Sequence, residues 1–142
     1  MKKRKTPKKG TLSRAKKDCW DAFSLLKKLE RSEDGEWTNC YTCGKPIKIG
    51  TSDCQGGHMF PKKAFSGIWL EEDNVRPQCY YCNINLGGNG AIFAERMKKE
   101  IGEQAYEELS AIRNSEFKLT KKEYEELTKK YRDRITKIKE KW

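Results

Sequence analysis

Four cysteines fall in two C-x-x-C pairs, Cys40 with Cys43 and Cys79 with Cys82. Thiols at that spacing converge around a tight knuckle, and two knuckles can offer four thiolates to one tetrahedral ion. The expected ion is a structural Zn2+. With all four positions filled by protein, neither water nor substrate can reach the metal. A rubredoxin-type iron centre would use the same ligands. A disulfide framework is the poorer reading of the six cysteines, because no apolar secretory segment follows the basic start. Cys19 and Cys54 are left over.

His58 is the only histidine in the chain, inside the stretch Gln55-Gly-Gly-His-Met-Phe-Pro61 that the zinc loop would close. An imidazole titrates near neutral pH and can take a proton from an attacking water. The two glycines before it allow a ligand to approach the backbone closely, and Lys62 and Lys63 follow where they could meet phosphate. Cys54-x-x-x-His58 is also an acceptable zinc-ligand spacing. Since the paired cysteines already complete a set, His58 is read as a base. Further on come Asn74, Asn83, Asn85 and Asn89. Asparagine beside glycine is ordinarily turn chemistry. Arg76, next to Pro77, could hold either a phosphate or the local backbone.

These residues need a scaffold. Trp20, Phe23, Leu26 and Leu29 recur at helical spacing, which predicts a helix from about Leu12 to Arg31, capped by Thr11 or Ser13. Residues 37–90 hold eight of the eleven glycines and little periodicity, so turns, short strands and a metal must organise them. Strands are expected near Thr38–Tyr41, Ile47–Ile49 and His58–Phe60, with a helix beginning just after Cys82. Beyond Ala91 the chain reads as helical, with one segment broken near Gly102, a second from Ala105 to Ile112, and a third opened by the capping box Thr120-Lys-Lys-Glu123. Tyr124, Leu127, Tyr131, Ile135, Ile138 and Trp142 then form one stripe. It can pack on the body or on a second copy of the chain.

Of 142 residues 37% are charged, and the formal net charge is +10. Residues 1–17 carry nine basic residues and no acid, among them Lys2, Lys3, Arg4, Lys5, Lys8 and Lys9. The remaining 22 basic groups almost balance the 21 acids. A basic arm of this kind binds polyanions, nucleic acid above all, by displacing counterions. No apolar run approaches the ~18 residues of a membrane span, so a soluble, intracellular protein without a membrane partner is expected.

The order of motifs resembles the HNH endonucleases, and more closely the phage NinG/Rap family of recombination nucleases. The matching stretches are Cys-Trp-Asp-Ala-Phe-Ser (19–24), Cys40-Tyr-Thr-Cys43-Gly, Gly57-His58-Met-Phe, Asn74-Val-Arg-Pro-Gln-Cys79, Cys82-Asn83, Gly88-Asn89 and Ile101-Gly102. The resemblance covers roughly residues 18–142 and implies an α+β fold: a small zinc-stapled ββα-metal (HNH-like) finger at 37–90, flanked by an N-terminal helix at 12–36 and a helical C-terminal region at 91–142. The basic arm at 1–11 lies outside it. The same resemblance implies that His58 is the general base, that Asn74 holds the His58 region, and that Asn83 helps bind a catalytic Mg2+ or Mn2+ with Asn89 as a neighbour. The acidic metal ligand that many HNH enzymes place just before the base is here Gly57. Metal-dependent hydrolysis of DNA is the implied activity, on branched intermediates such as Holliday junctions or D-loops, in the host cytoplasm if the chain is phage-encoded. DNA contacts would come from Lys2, Lys3, Arg4, Lys5, Lys8, Lys9, Lys62, Lys63 and Arg76, and a homodimer through the last helix would suit a branched substrate. The alternatives are a non-catalytic zinc-dependent DNA-binding module, a general HNH nuclease acting on duplex, and an adaptor docking through its last helix.

Overall fold

The computed structural model describes residues 5–61, 68–113, 115 and 118–142. The first helix, α1, runs over Leu12–Leu29, and the Thr11 hydroxyl caps it by accepting from the Arg14 N–H at 3.2 Å. Ala15, Cys19, Ala22, Phe23, Leu26 and Leu29 form its buried face. That face packs on the last helix, α4 (Lys121–Lys139), through the buried Tyr124, Thr128, Tyr131 and Ile135. The Phe23 and Tyr131 rings sit 5.1 Å apart. The capping box of α4 forms in both directions: Thr120 Oγ1 accepts from the Glu123 N–H at 3.2 Å, and Glu123 Oε1 from the Thr120 N–H at 3.1 Å. The aromatic stripe of the last helix is therefore used within the chain. Each large apolar side chain buried there contributes roughly 1.5–3 kcal/mol. Trp142 donates its indole N–H to the Glu33 carbonyl at 2.6 Å and lies over Gly35, tying the end of α4 to the loop after α1.

Between the two long helices lie two small antiparallel hairpins. Strands β1 (Trp37–Asn39) and β2 (Pro46–Lys48) pair with Thr38 opposite Ile47. Strands β3 (Gln55–His58) and β4 (Val75–Gln78) pair with Gln55 opposite Gln78 and His58 opposite Val75. A 3-10 turn over Glu72–Asn74 leads into β4, and a π-helical turn over Tyr81–Asn85 leaves it. Helices α2 (Gly90–Ile101) and α3 (Glu103–Ile112) follow, broken at Gly102 where φ is +89°. A second apolar cluster joins Tyr41, Met59, Phe60 and Ile68 to Phe93, Met97 and Leu109. A third gathers Cys40, Ile47, Cys54, Cys79 and Cys82 around the knuckles. The result is a mixed α+β fold in which helices flank two short sheets. Among the described residues, no helix is long and apolar enough to cross a membrane.

Candidate zinc centre and active site

The knuckle after β1 carries Cys40 and Cys43, and the turn after β4 carries Cys79 and Cys82. Their four Sγ atoms all lie within 4.8 Å of one another, with Cys43 and Cys79 at 3.8 Å. Zn–S bonds of about 2.3 Å in a tetrahedron require sulphur atoms about 3.8 Å apart, so the donor set fits Zn2+. Three of the four cysteines are buried and Cys43 is exposed. Burial opposes ionisation of Cys40, but the Thr42 hydroxyl and backbone N–H groups outweigh it and hold the thiol down to about 6. Burial dominates at Cys79, pushing it up to about 12. Four thiolates this close need a cation to coexist, and a zinc ion would supply that charge. Asn89, held at φ +51° before α2, directs its amide N–H toward Cys82 Sγ at 3.9 Å. It thus stands beside one of the four clustered cysteines. Cys19 is buried in the α1–α4 core and Cys54 beside the knuckles; burial raises both thiols.

His58 ends β3. Its Nε2 lies 3.1 Å from the Trp69 carbonyl, and its ring stacks on Trp20 of α1 with centroids 4.7 Å apart and planes at 20°. A carbonyl only accepts, so this contact places the imidazole proton on Nε2 and makes Nδ1 the basic nitrogen. Asn74 is fully buried. Its Oδ1 accepts from the Phe60 N–H at 2.8 Å, and its Nδ2 donates to the Phe60 and Ile68 carbonyls at 3.0 and 3.2 Å. The Met59 N–H donates to the Asn74 carbonyl at 2.9 Å. Side chain and backbone of Asn74 together hold the two residues that follow the histidine.

Asn83, in the π-helical turn, donates to Gln55 Oε1 at 2.8 Å and so lies against β3. Gly88 packs on the His58 carbonyl. A Cβ on Gly57 would fall 1.9 Å from Gln78 Oε1. Gln78 is buried, donating to Thr42 Oγ1 at 3.1 Å and the Gly88 carbonyl at 2.9 Å, while its Oε1 has no hydrogen-bond donor among the described residues. The position before His58 is therefore a glycine because a buried amide occupies the space of its side chain. Asp53 pairs with Lys45 at 2.8 Å and accepts from the Tyr80 N–H at 3.1 Å. These residues do not make a resident Mg2+ or Mn2+ site. Hard divalent cations take several oxygens, carboxylates included, whereas Asn83 and Asn89 offer one neutral amide oxygen each and Asp53 is engaged by Lys45 and the Tyr80 N–H. The four cysteines are the one metal-type cluster found among the described residues.

Arg76 is 4% exposed. It pairs with Glu100 and Asp73 and donates to the Glu72 and Val75 carbonyls, so its guanidinium braces β4 from inside. Lys5, Lys8 and Lys9 are exposed. Lys2, Lys3, Arg4, Lys62 and Lys63 lie outside the described residues. Sequence reasoning missed Trp20 and Trp69 as partners of His58. Trp20 was counted in the apolar stripe of α1, and only its family-like Cys-Trp-Asp-Ala-Phe-Ser setting set it apart. Gln78 carried no signal beyond its place before Cys79.

A family model described as Bacteriophage Lambda NinG protein matches residues 1–141. The chain belongs to that family. Comparison with curated proteins and with solved structures yields no match.

Proposed function

We propose that this member of the NinG family is a DNA endonuclease of HNH-like type, hydrolysing phosphodiester bonds in branched recombination intermediates. The observation that carries the reading is the setting of His58. A hairpin ends on the imidazole, a carbonyl fixes its tautomer, a tryptophan supports one face, and a helical turn bearing Asn83 follows the second strand. The hairpin and turn then correspond to the ββα-metal finger. In this reading Nδ1 of His58 accepts the proton of the attacking water. Asn74 keeps the residues after the histidine in register, and Asn83 orients the substrate side of the site. A Mg2+ or Mn2+ ion bound together with the DNA phosphates would supply Lewis acidity to the phosphodiester.

DNA affinity is assigned to the basic arm and the last helix. A groove of about 520 Å³ runs between the root of the arm and α4, lined by Lys9, Arg14, Lys121, Lys129 and Arg132. Three of these bases pair with Asp18, Glu125 and Asp133, leaving the groove a net positive charge. The neutral amides at Asn83 and Asn89, with Asp53 already paired to Lys45, favour a second reading, a zinc-stapled DNA-binding module without catalysis. A cleavage panel of duplex, flap, fork and four-way junction, run with Mg2+ or Mn2+ on wild type and His58→Ala, separates the two. Loss of cleavage with intact zinc content and DNA binding in His58→Ala supports the enzyme. Binding without cleavage of any substrate by the wild type leaves the binding module.

A further inference from the structure

A second groove, of about 400 Å³, opens between α1 and β3 on the Asn83 side of the hairpin. We propose that it binds a backbone phosphate of a nucleic-acid strand, with the Lys28 ammonium as its charged group. The inference rests on the DNA reading above and adds to it a residue of α1.

Lys28 is half-buried. Among the described residues it has no carboxylate within ion-pair distance and no hydrogen-bond acceptor, whereas its neighbour Lys27 reaches Glu30 and Glu72 at 3.7 and 3.9 Å. Burial lowers the Lys28 pKa from its ordinary value, and Cys54 and Asp21 pull it part of the way back. A half-buried ammonium with no ion-pair or hydrogen-bond partner is costly, and a phosphate oxygen relieves that cost. The same lining holds the hydroxyls of Ser24, Thr51 and Ser52 and the amides of Gln55 and Asn83. Thr51 donates to the Lys48 carbonyl, whereas the Gln55 and Asn83 amides donate to the Ser52 carbonyl and Gln55 Oε1 and each keeps a second N–H for a phosphate oxygen. Asp21 stands in the same lining, but Lys17 holds its carboxylate at 2.6 Å. The walls are fixed by Gly56, where an added Cβ would lie 2.6 Å from Ser24 Oγ and 3.2 Å from the Trp20 ring.

The groove and the histidine share one wall. Trp20 lines the groove and stacks on His58. Gly56 precedes His58 by two residues on β3, a spacing of roughly 7 Å along a strand. A strand whose phosphate rests on Lys28 therefore runs toward the imidazole, and the contact would set which bond is presented.

The test is equilibrium binding of the zinc-loaded full chain to fluorescein-labelled duplex and four-way junction, with divalent ions omitted so that no cleavage intervenes. Lys28→Met keeps the apolar stem and removes the charge; Lys28→Arg keeps both stem and charge; Lys99→Gln removes an exposed charge on α2. Lys28→Met should weaken binding roughly 10-fold, as expected for losing a charge-assisted hydrogen bond. It should also make the salt dependence shallower by about 0.9 in log–log slope. Lys28→Arg should restore affinity, and Lys99→Gln should leave it unchanged. Inorganic phosphate, at ionic strength matched with chloride, should compete with DNA on the wild type and not on Lys28→Met. If Lys28→Met binds DNA like wild type, the proposal is overturned, and if it then still loses the phosphate competition, the ligand is a free phosphate. A wild type that binds no DNA at all would overturn the DNA reading as a whole. Zinc content and melting temperature confirm that each variant is folded; should Lys28→Met fail to fold, Lys28→Gln takes its place.

Discussion

Asn74 is the residue whose removal tests the architecture of the histidine site most directly. Its amide satisfies three buried backbone groups, the Phe60 N–H and the Phe60 and Ile68 carbonyls. Asn74→Ala orphans all three at once. Each unsatisfied buried group costs about 1–3 kcal/mol. Relaxation and an entering water recover part, so the net loss should be about 3–5 kcal/mol, a large share of the roughly 5–15 kcal/mol that stabilises a domain. Asn74→Asp sharpens the test because it preserves shape. One carboxylate oxygen can still accept from Phe60, while the other faces two carbonyls. The buried charge is disfavoured, so the folded carboxyl takes a pKa above its unfolded ~3.9. For a raised pKa the folded state is favoured most below the unfolded value, and stability falls as pH rises through the folded pKa. The deficit of Asn74→Asp relative to wild type should therefore grow from pH 5 to pH 7.5. Urea unfolding in excess zinc measures it, and comparison with wild type at each pH cancels the common effect of thiolate protonation. A loss below about 1 kcal/mol for Asn74→Ala, or a pH-independent deficit for Asn74→Asp, would refute the reasoning.

Gly57→Ala should cost about 1–3 kcal/mol, the usual cost of overpacking, because its Cβ meets the buried Gln78 amide; thermal melts read the loss. One zinc per chain should be measured by elemental analysis, and a chelator should release it together with the hydrogen-exchange protection of β3 and β4. Cys79→Ser should do the same without chelator. Glu100 accepts from Tyr41 and pairs with Arg31 and Arg76. Burial opposes its ionisation, but the Tyr41 hydroxyl and the two guanidinium groups prevail and hold its pKa below the ordinary value. The stability from a lowered pKa is present above the unfolded value and lost as pH falls through the folded one. Glu100→Gln should therefore be destabilised at neutral pH, and denaturant melts should show the gap to wild type closing below about pH 4.

What the sequence revealed and what it hid divide along physical lines. Local signals were legible. The capping box of Thr120 and Glu123 forms as written, the stripe of α1 is buried on α4, and the C-x-x-C pairs converge. Each of these depends on spacing over a few residues. The second strand of the histidine hairpin escaped because Pro77 lies in it, and proline argues against a paired strand. It is admitted here because its carbonyl, which needs no N–H, accepts from the Tyr41 N–H at 2.8 Å. Arg76 could not be placed from sequence. Its acidic partner Glu100 is 24 residues away, and only the approach of α2 to β4 makes the site an interior one. Trp20 was legible as buried but not as a partner of His58, because a helical period gives the face of a residue and not what crosses it.

A zinc ion held by the four cysteines would also impose an order in time. Its first two ligands precede His58 in the chain and its last two follow Asn74. The cluster cannot close until Cys82 has been synthesised, an interval of roughly 2–8 s after Cys43 at ordinary rates of elongation. Until β4 has been made, only four residues before Cys82, β3 has no strand to pair with. A nascent or truncated chain thus carries the basic arm, and any affinity for DNA that goes with it, before it can carry a formed histidine site. Premature termination anywhere before Cys82 would leave a fragment that keeps the basic arm and lacks the complete cysteine cluster.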